Sequence, residues 1–214
     1  PVVSHSQFDL GDSAEAETAY YRRRSVTPVD DAEASDEVRE RIASSIYKQG
    51  EQARDAGDLE TAVAHFTRLG QAVPDSSIRA TAEYDAAAAL INMAAWDRAA
   101  GMLEQYRRNY PDSEFADDIS QKLAVTYMET GRASQAAAEF ERIAVAETSS
   151  DEVRREALWK AAELYEAGGI VASEKRVLED IVARYPDPLS ESIEARYRLL
   201  EIAETQGNSA EVTA

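Results

Sequence analysis

Six small residues recur along this chain at nearly constant spacing. Gly11, Gly57, Ala94, Gly131, Gly169 and Gly207 stand 46, 37, 37, 38 and 38 residues apart, each among similar neighbours. A period in the upper thirties marks a stack of helical hairpins. Such a unit cannot bury its apolar face alone and does so against the next copy.

The neighbours recur by residue type. Five residues after the anchor come Ala16, Ala62, Ala99 and Ala136, and nine after come Tyr20, Phe66, Leu103, Phe140 and Leu178. Seven before stand Gly50, Ala87, Ala124, Ala162 and Leu200, and four before stand Ala53, Leu90, Tyr127, Tyr165 and Ala203. Pro28, Pro74, Pro111 and Pro186 follow seventeen residues on. Each type fits a two-helix unit. The anchor ends the first helix, where glycine turns without a Cβ penalty. Small residues let two backbones approach, and the large ones fill the space beside them. Proline closes the second helix, because it donates no N–H and restrains the residue before it.

This skeleton resembles the tetratricopeptide repeat (TPR), best matched by Gly50, Gly57, Ala62, Phe66 and Pro74, then by Ala124, Tyr127, Gly131, Ala136 and Phe140. The resemblance covers nearly the whole chain. It implies an all-α fold, a right-handed superhelical α-solenoid of antiparallel helix hairpins. Three positions depart from the pattern: Ala94 replaces the turn glycine, Thr148 a proline, and Glu174 the small packing residue. The repeats also exceed the usual length of about thirty-four residues. The expected organisation is a partial N-terminal repeat over 1–28, an acidic linker over 29–37, four hairpins over 38–187 and a partial C-terminal repeat over 188–214. The first interval is the long one, and its excess falls on Val29–Glu37, with the next helix starting at Ser35 or Asp36. An acidic surface loop and a hinge or partner-binding loop both fit that run. Pro74-Asp75-Ser76, Pro111-Asp112-Ser113 and Thr148-Ser149-Ser150 place an Asp or Ser where the following helix takes an N-cap. With no initiator Met and no polar capping helix at either end, a piece of a longer repeat protein is expected.

Charge and composition exclude several functions. The chain has 23 basic and 41 acidic residues, a net of −18, which argues against nucleic acid and anionic membrane surfaces and for a neutral to basic partner. No apolar run approaches the length of a membrane span, so direct membrane insertion by this segment is not expected. There are no cysteines, and His5 and His65 do not cluster with other ligands, so neither a metal nor a cofactor is expected. Phosphate-binding glycine loops, nucleophile elbows and zinc-protease motifs are absent, and no enzyme is expected.

The junctions Tyr110-Pro111-Asp112-Ser113 and Tyr185-Pro186-Asp187 resemble those of bacterial envelope TPR proteins. Such junctions are shared by the outer-membrane assembly lipoprotein that serves the β-barrel insertion machine and by the periplasmic coordinator of the Tol–Pal system. That implies a periplasmic or outer-membrane-associated location, with the cytoplasm as the alternative.

In this repeat class the first helix of each hairpin lines the concave surface. Positions ten, six and three before the anchor share one face of that helix. Ten before stand Tyr47, Tyr84, Gln121, Trp159 and Tyr197; six before, Glu51, Ala88, Val125, Glu163 and Glu201; three before, Arg54, Ile91, Met128, Glu166 and Glu204. With Asn92 they form the expected groove: an aromatic ladder, apolar in the middle repeats and acidic toward the C-terminal end. Aromatics with a wet edge suit peptide contacts, and a carboxylate-lined end favours Lys, Arg or an amino terminus. Packing between adjacent first helices fits the same aromatics. The TPR clamp for an acidic chaperone tail needs Lys, Asn and Arg where Tyr47 and Glu51 stand, so that role is excluded. Trp96 reads as core. Arg22-Arg23-Arg24 reads as a helix-end cation cluster or an anion contact. The expected function is a non-catalytic protein–protein interaction scaffold for a peptide or helical partner in a bacterial envelope assembly. The alternatives are a structural spacer with no groove ligand and a cytosolic adaptor or regulator.

Overall fold

The computed structural model describes residues 12–26 and 32–207. Ten α-helices occur among them: α1 (Ser13–Val26), α2 (Ala32–Asp55), α3 (Leu59–Ala72), α4 (Arg79–Asn92), α5 (Trp96–Asn109), α6 (Ala116–Glu129), α7 (Ala133–Val145), α8 (Asp151–Ala167), α9 (Val171–Arg184) and α10 (Leu189–Thr205). They fall into two compact units, Pro1–Tyr110 with α1–α5 and Pro111–Ala214 with α6–α10. Within each unit, consecutive helices pack on one another, as hairpins do. No described helix is long and apolar enough to cross a membrane.

The recurring anchor is the C′ residue of a Schellman turn. Gly57, Gly131, Gly169 and Gly207 have φ of 81°, 69°, 68° and 69°. At the four internal turns, the N–H after the anchor reaches the carbonyl four residues before it: Asp58 to Ala53 at 2.9 Å, Ala95 to Leu90 at 2.9 Å, Arg132 to Tyr127 at 2.8 Å and Ile170 to Tyr165 at 2.8 Å. Ala94 makes the same turn at φ 54°, a conformation that crowds its Cβ. The hairpin therefore sets the backbone, and the residue tolerates it. Ala94→Gly is expected to raise stability by about 0.5–1 kcal/mol, the relieved strain being partly offset by glycine's freedom in the unfolded chain. A higher denaturation midpoint would show it, and an unchanged or lower one would count against it.

Helix starts differ from the sequence expectation at three places. α2 begins at Ala32, before Ser35 or Asp36, so most of the expected acidic linker is helical. Val38 extends the buried stripe of Ile42 and Ile46 by one turn, Glu33 sits in the positive first turn, and Asp36 pairs with Arg39. Residues 29–31 lie outside the described residues, as do His5, Gly11 and Pro28. Ser76 and Ser113 do not cap α4 and α6. The caps are Ile78 and Phe115, whose N–H groups donate to those serine hydroxyls at 3.4 and 3.1 Å in a tight turn just before the helix. Ser150 does cap α8, accepting from Val153 N at 3.3 Å. A cap that the sequence pattern did not announce, Asp58, accepts from Thr61 N at 3.1 Å.

Apolar packing follows the repeat positions. In the first unit Ile42, Ile46, Phe66 and Leu69 are fully buried with Ala16 and Tyr20. The ring of Phe66 lies on the bare backbone of Gly50, where a Cβ would come within 2.5 Å of Cε1. In the second unit Leu158, Tyr165, Leu178 and Ile181 form the equivalent cluster. Trp96 is not core. It is half-buried at the first turn of α5.

Polar side chains tie successive helices. Arg68 on α3 donates to both oxygens of Glu17 on α1, each at 2.8 Å, and Gln49 on α2 donates to the same carboxylate at 2.6 Å. Glu141 on α7 likewise accepts from Tyr165 on α8 and Arg176 on α9, both at 2.7 Å. Glu40 on α2 holds the turn before α4 through Ser76 Oγ at 3.0 Å and Ser77 N at 3.0 Å. Glu174, in the position that elsewhere holds alanine, is buried and accepts from Arg198 at 2.7 Å.

Burial pushes the Glu17 and Glu141 carboxyls up, but the hydrogen bonds from Arg68 with Gln49, and from Arg176 with Tyr165, outweigh it. Both end below the usual carboxylate value. The unfolded chain then takes up these protons first as pH falls. The stability they add is complete above the ordinary value of 4.5 and fades as pH drops through the lower folded values. Melting followed between about pH 6 and pH 3 should show a shallower acid limb for Arg68→Gln than for the unsubstituted chain. Parallel limbs would remove Glu17 from this account.

Candidate functional site

The first helices α2, α4, α6, α8 and α10 carry the residues singled out in the sequence, and the four aromatics on them have different roles. Tyr47 on α2 donates to Asp85 Oδ2 on α4 at 2.5 Å. Burial, then the bond to Asp85 and its charge, hold this phenol well above its ordinary pKa. Arg54 lies 3.6 Å from Asp85 and 3.7 Å from Glu51, so its guanidinium joins Glu51 to the Tyr47–Asp85 pair. Tyr84 points elsewhere. Its ring meets Tyr106 of α5 edge-on, with centroids 6.3 Å apart, and Tyr106 packs on Tyr110 at 4.7 Å. Ile91 packs against the buried cluster of Val63, Leu90 and Ala99, and Asn92 is exposed at the end of α4.

In the second unit, Gln121, Val125 and Met128 are all exposed along α6. Of the four residues expected to make the middle repeats apolar, Val125 and Met128 are thus exposed, while Ala88 is half-buried and Ile91 packs inward. Trp159 on α8 is half-buried and donates from Nε1 to Glu191 on α10 at 3.1 Å. Tyr197 is 55 % exposed, and its pKa is raised by the charge and hydrogen bond of Glu201. Tyr47 and Trp159 thus bridge to the next first helix, Tyr84 packs on a second helix, and Tyr197 faces solvent.

Between α8 and α10 lies an open cleft of about 680 Å3. Trp159 and Glu163 line it, as their positions imply. So do Arg155, Lys160 and Arg198, which the repeat pattern did not single out. The expected acidic end is therefore mixed. Arg155 Nε sits 3.1 Å from Glu191, Lys160 Nζ 3.0 Å from Glu163, and Arg198 holds Glu166 at 2.8 Å as well as Glu174. Lys160 with Glu163 is an i,i+3 pair legible in one helix. The ties to Glu191 and Glu174 cross between helices and carry no local signal. Glu201 and Glu204 are exposed on α10.

Solved structures similar to this chain include repeat proteins. The TPR-like repeats of a kinesin light chain from Podosopora anserina are 16% identical, with 85% of this chain and 90% of that one covered and a TM-score of 0.44. A tetratricopeptide repeat protein from Parabacteroides merdae is 14% identical, covering 98% and 73%, at 0.43. MamA from Desulfovibrio magneticus is 16% identical, covering 95% and 93%, at 0.39. Scores this low leave the assignment to sequence. No curated protein matches the chain significantly. The profile of the family described as YfiO, outer membrane lipoprotein, matches residues 39–202, well over half of the chain and every helix from α3 to α9 in full. The chain belongs to the YfiO family of outer membrane lipoproteins.

Proposed function

We propose that this chain is a non-catalytic interaction scaffold of a bacterial envelope assembly. It holds a peptide or helical segment of a partner protein against the first helices of its hairpins. The observation that carries this reading is the α8–α10 cleft, roomy enough for several side chains and walled by an indole fixed in orientation through Glu191. Membership of an outer membrane lipoprotein family supports the envelope location. The net charge of −18 supports a neutral to basic partner. Polar groups locked in ion pairs, as Arg155, Lys160 and Arg198 are, suit recognition better than proton transfer.

A photo-crosslinking amino acid placed at Gln121 or Lys160 is expected to capture a partner from envelope extract. One placed at Glu179, exposed on the second helix α9, is not. Trp159→Ala should cut the Lys160 yield at least tenfold while helicity and melting are retained, as expected for a central aromatic contact worth about 2 kcal/mol. Equal yields from all three positions, or indifference to Trp159→Ala, would favour a spacer with no ligand in the groove.

A further inference from the structure

The charges lining the α8–α10 cleft are unevenly committed. Arg155, Lys160 and Arg198 each hold a carboxylate already. Glu156 and Glu194 also line the cleft and are exposed, and neither has an ion-pair or hydrogen-bond partner among the described residues. The charge left over is therefore negative, and it flanks the half-buried indole of Trp159. Along α10, Ile193 and Tyr197 stand beside Glu194, 57 % and 55 % exposed.

We propose that this cleft binds a basic segment of a partner protein, with a Lys or Arg side chain laid on the Trp159 indole and its charge met by Glu156 and Glu194. The assignment rests on the scaffold reading and names the chemistry of its ligand. A cation over an indole face is attracted by the ring quadrupole, and more strongly once water is displaced. The aliphatic stem of Lys or Arg covers the ring while its head stays between carboxylates. Apolar residues on either side of that cation meet Ile193 and Tyr197. Competing ligands fare worse. An acidic segment would find each cation of the cleft already paired with a carboxylate. A wholly apolar one would desolvate Glu156 and Glu194 without compensation.

The test is calorimetric titration of the full chain with the N-acetylated, C-amidated peptide Leu-Arg-Leu-Lys-Leu. The same peptide with glutamine at both basic positions is titrated in parallel. Only the basic peptide should bind saturably, and more weakly as salt rises. Glu156→Gln with Glu194→Gln should weaken it about tenfold or more. Both side chains are exposed, so the fold should persist. Glu129→Gln with Glu179→Gln makes the same change in net charge at exposed positions elsewhere and should leave the affinity unchanged. In a Trp96→Phe background Trp159 is the remaining tryptophan, and its emission should change on binding. Equal affinity for the glutamine peptide, an unaffected cleft variant, or an equal loss from the control pair would each overturn the proposal. Crosslinking from Lys160 that persists while the basic peptide fails sinks the basic-segment assignment alone. Loss of both sinks the scaffold reading as well.

Discussion

Arg198→Ala is expected to destabilise the second unit by about 3–5 kcal/mol, the range for stripping one partner from a buried ion pair. The Arg198 side chain is 12 % exposed and that of Glu174 7 %, and they meet at 2.7 Å. Without the guanidinium, a buried carboxylate is left on the face of α9 that also buries Val177 and Leu178. The pair itself is not where the stability comes from, because two charges had to leave water to form it. Glu174→Ala, which restores the small residue found at Ala62, Ala99 and Ala136, should therefore rescue the loss when Arg198 is changed to Met. Denaturant unfolding followed by far-ultraviolet circular dichroism measures both effects. A cost below about 1 kcal/mol for Arg198→Ala, or a double variant no better than the single, would refute this.

Phe66→Ala should cost a comparable amount, about 3–5 kcal/mol, through lost transfer energy and the cavity left behind. The ring is fully buried, lies on Gly50 and packs against Tyr47 with centroids 5.3 Å apart. Gly50→Ala tests the same contact from the other side. A methyl group 2.5 Å from Cε1 forces a displacement costing about 1–3 kcal/mol, against a gain of about 1 kcal/mol in helix propensity. Gly50→Ala with Phe66→Leu recreates the combination that stands at Ala87 with Leu103 and at Ala162 with Leu178. It should lose less than the sum of its parts. Strict additivity would show that Gly50 is glycine for another reason.

The features legible in the sequence are those in which one residue's backbone or size decides the outcome. The anchors mark the hairpin turns because a Schellman turn needs φ above zero, and the signal survives even the alanine at position 94. The small and large positions mark the core because most of them are buried, with Ala53, Phe140 and Leu200 half-buried. The start of α2 is misplaced by the sequence because five acidic residues between 29 and 37 read as solvated loop, while a single Val38 holds that turn in the core. The site is harder to read. The face of Trp159 and Glu163 follows from helical spacing, but its charge does not. Glu191 and Arg198 reach α8 from a helix more than thirty residues on, and no local pattern announces which carboxylate each cation takes. Glu174 looks like a lapse in the repeat because its partner lies on the next helix.

The polar ties from Tyr47 to Asp85, from Glu40 to Ser76 and from Trp159 to Glu191 each join one hairpin to its immediate neighbour. Tension applied along either compact unit would thus load these short links in series, beside the buried apolar cluster that runs through the same helices.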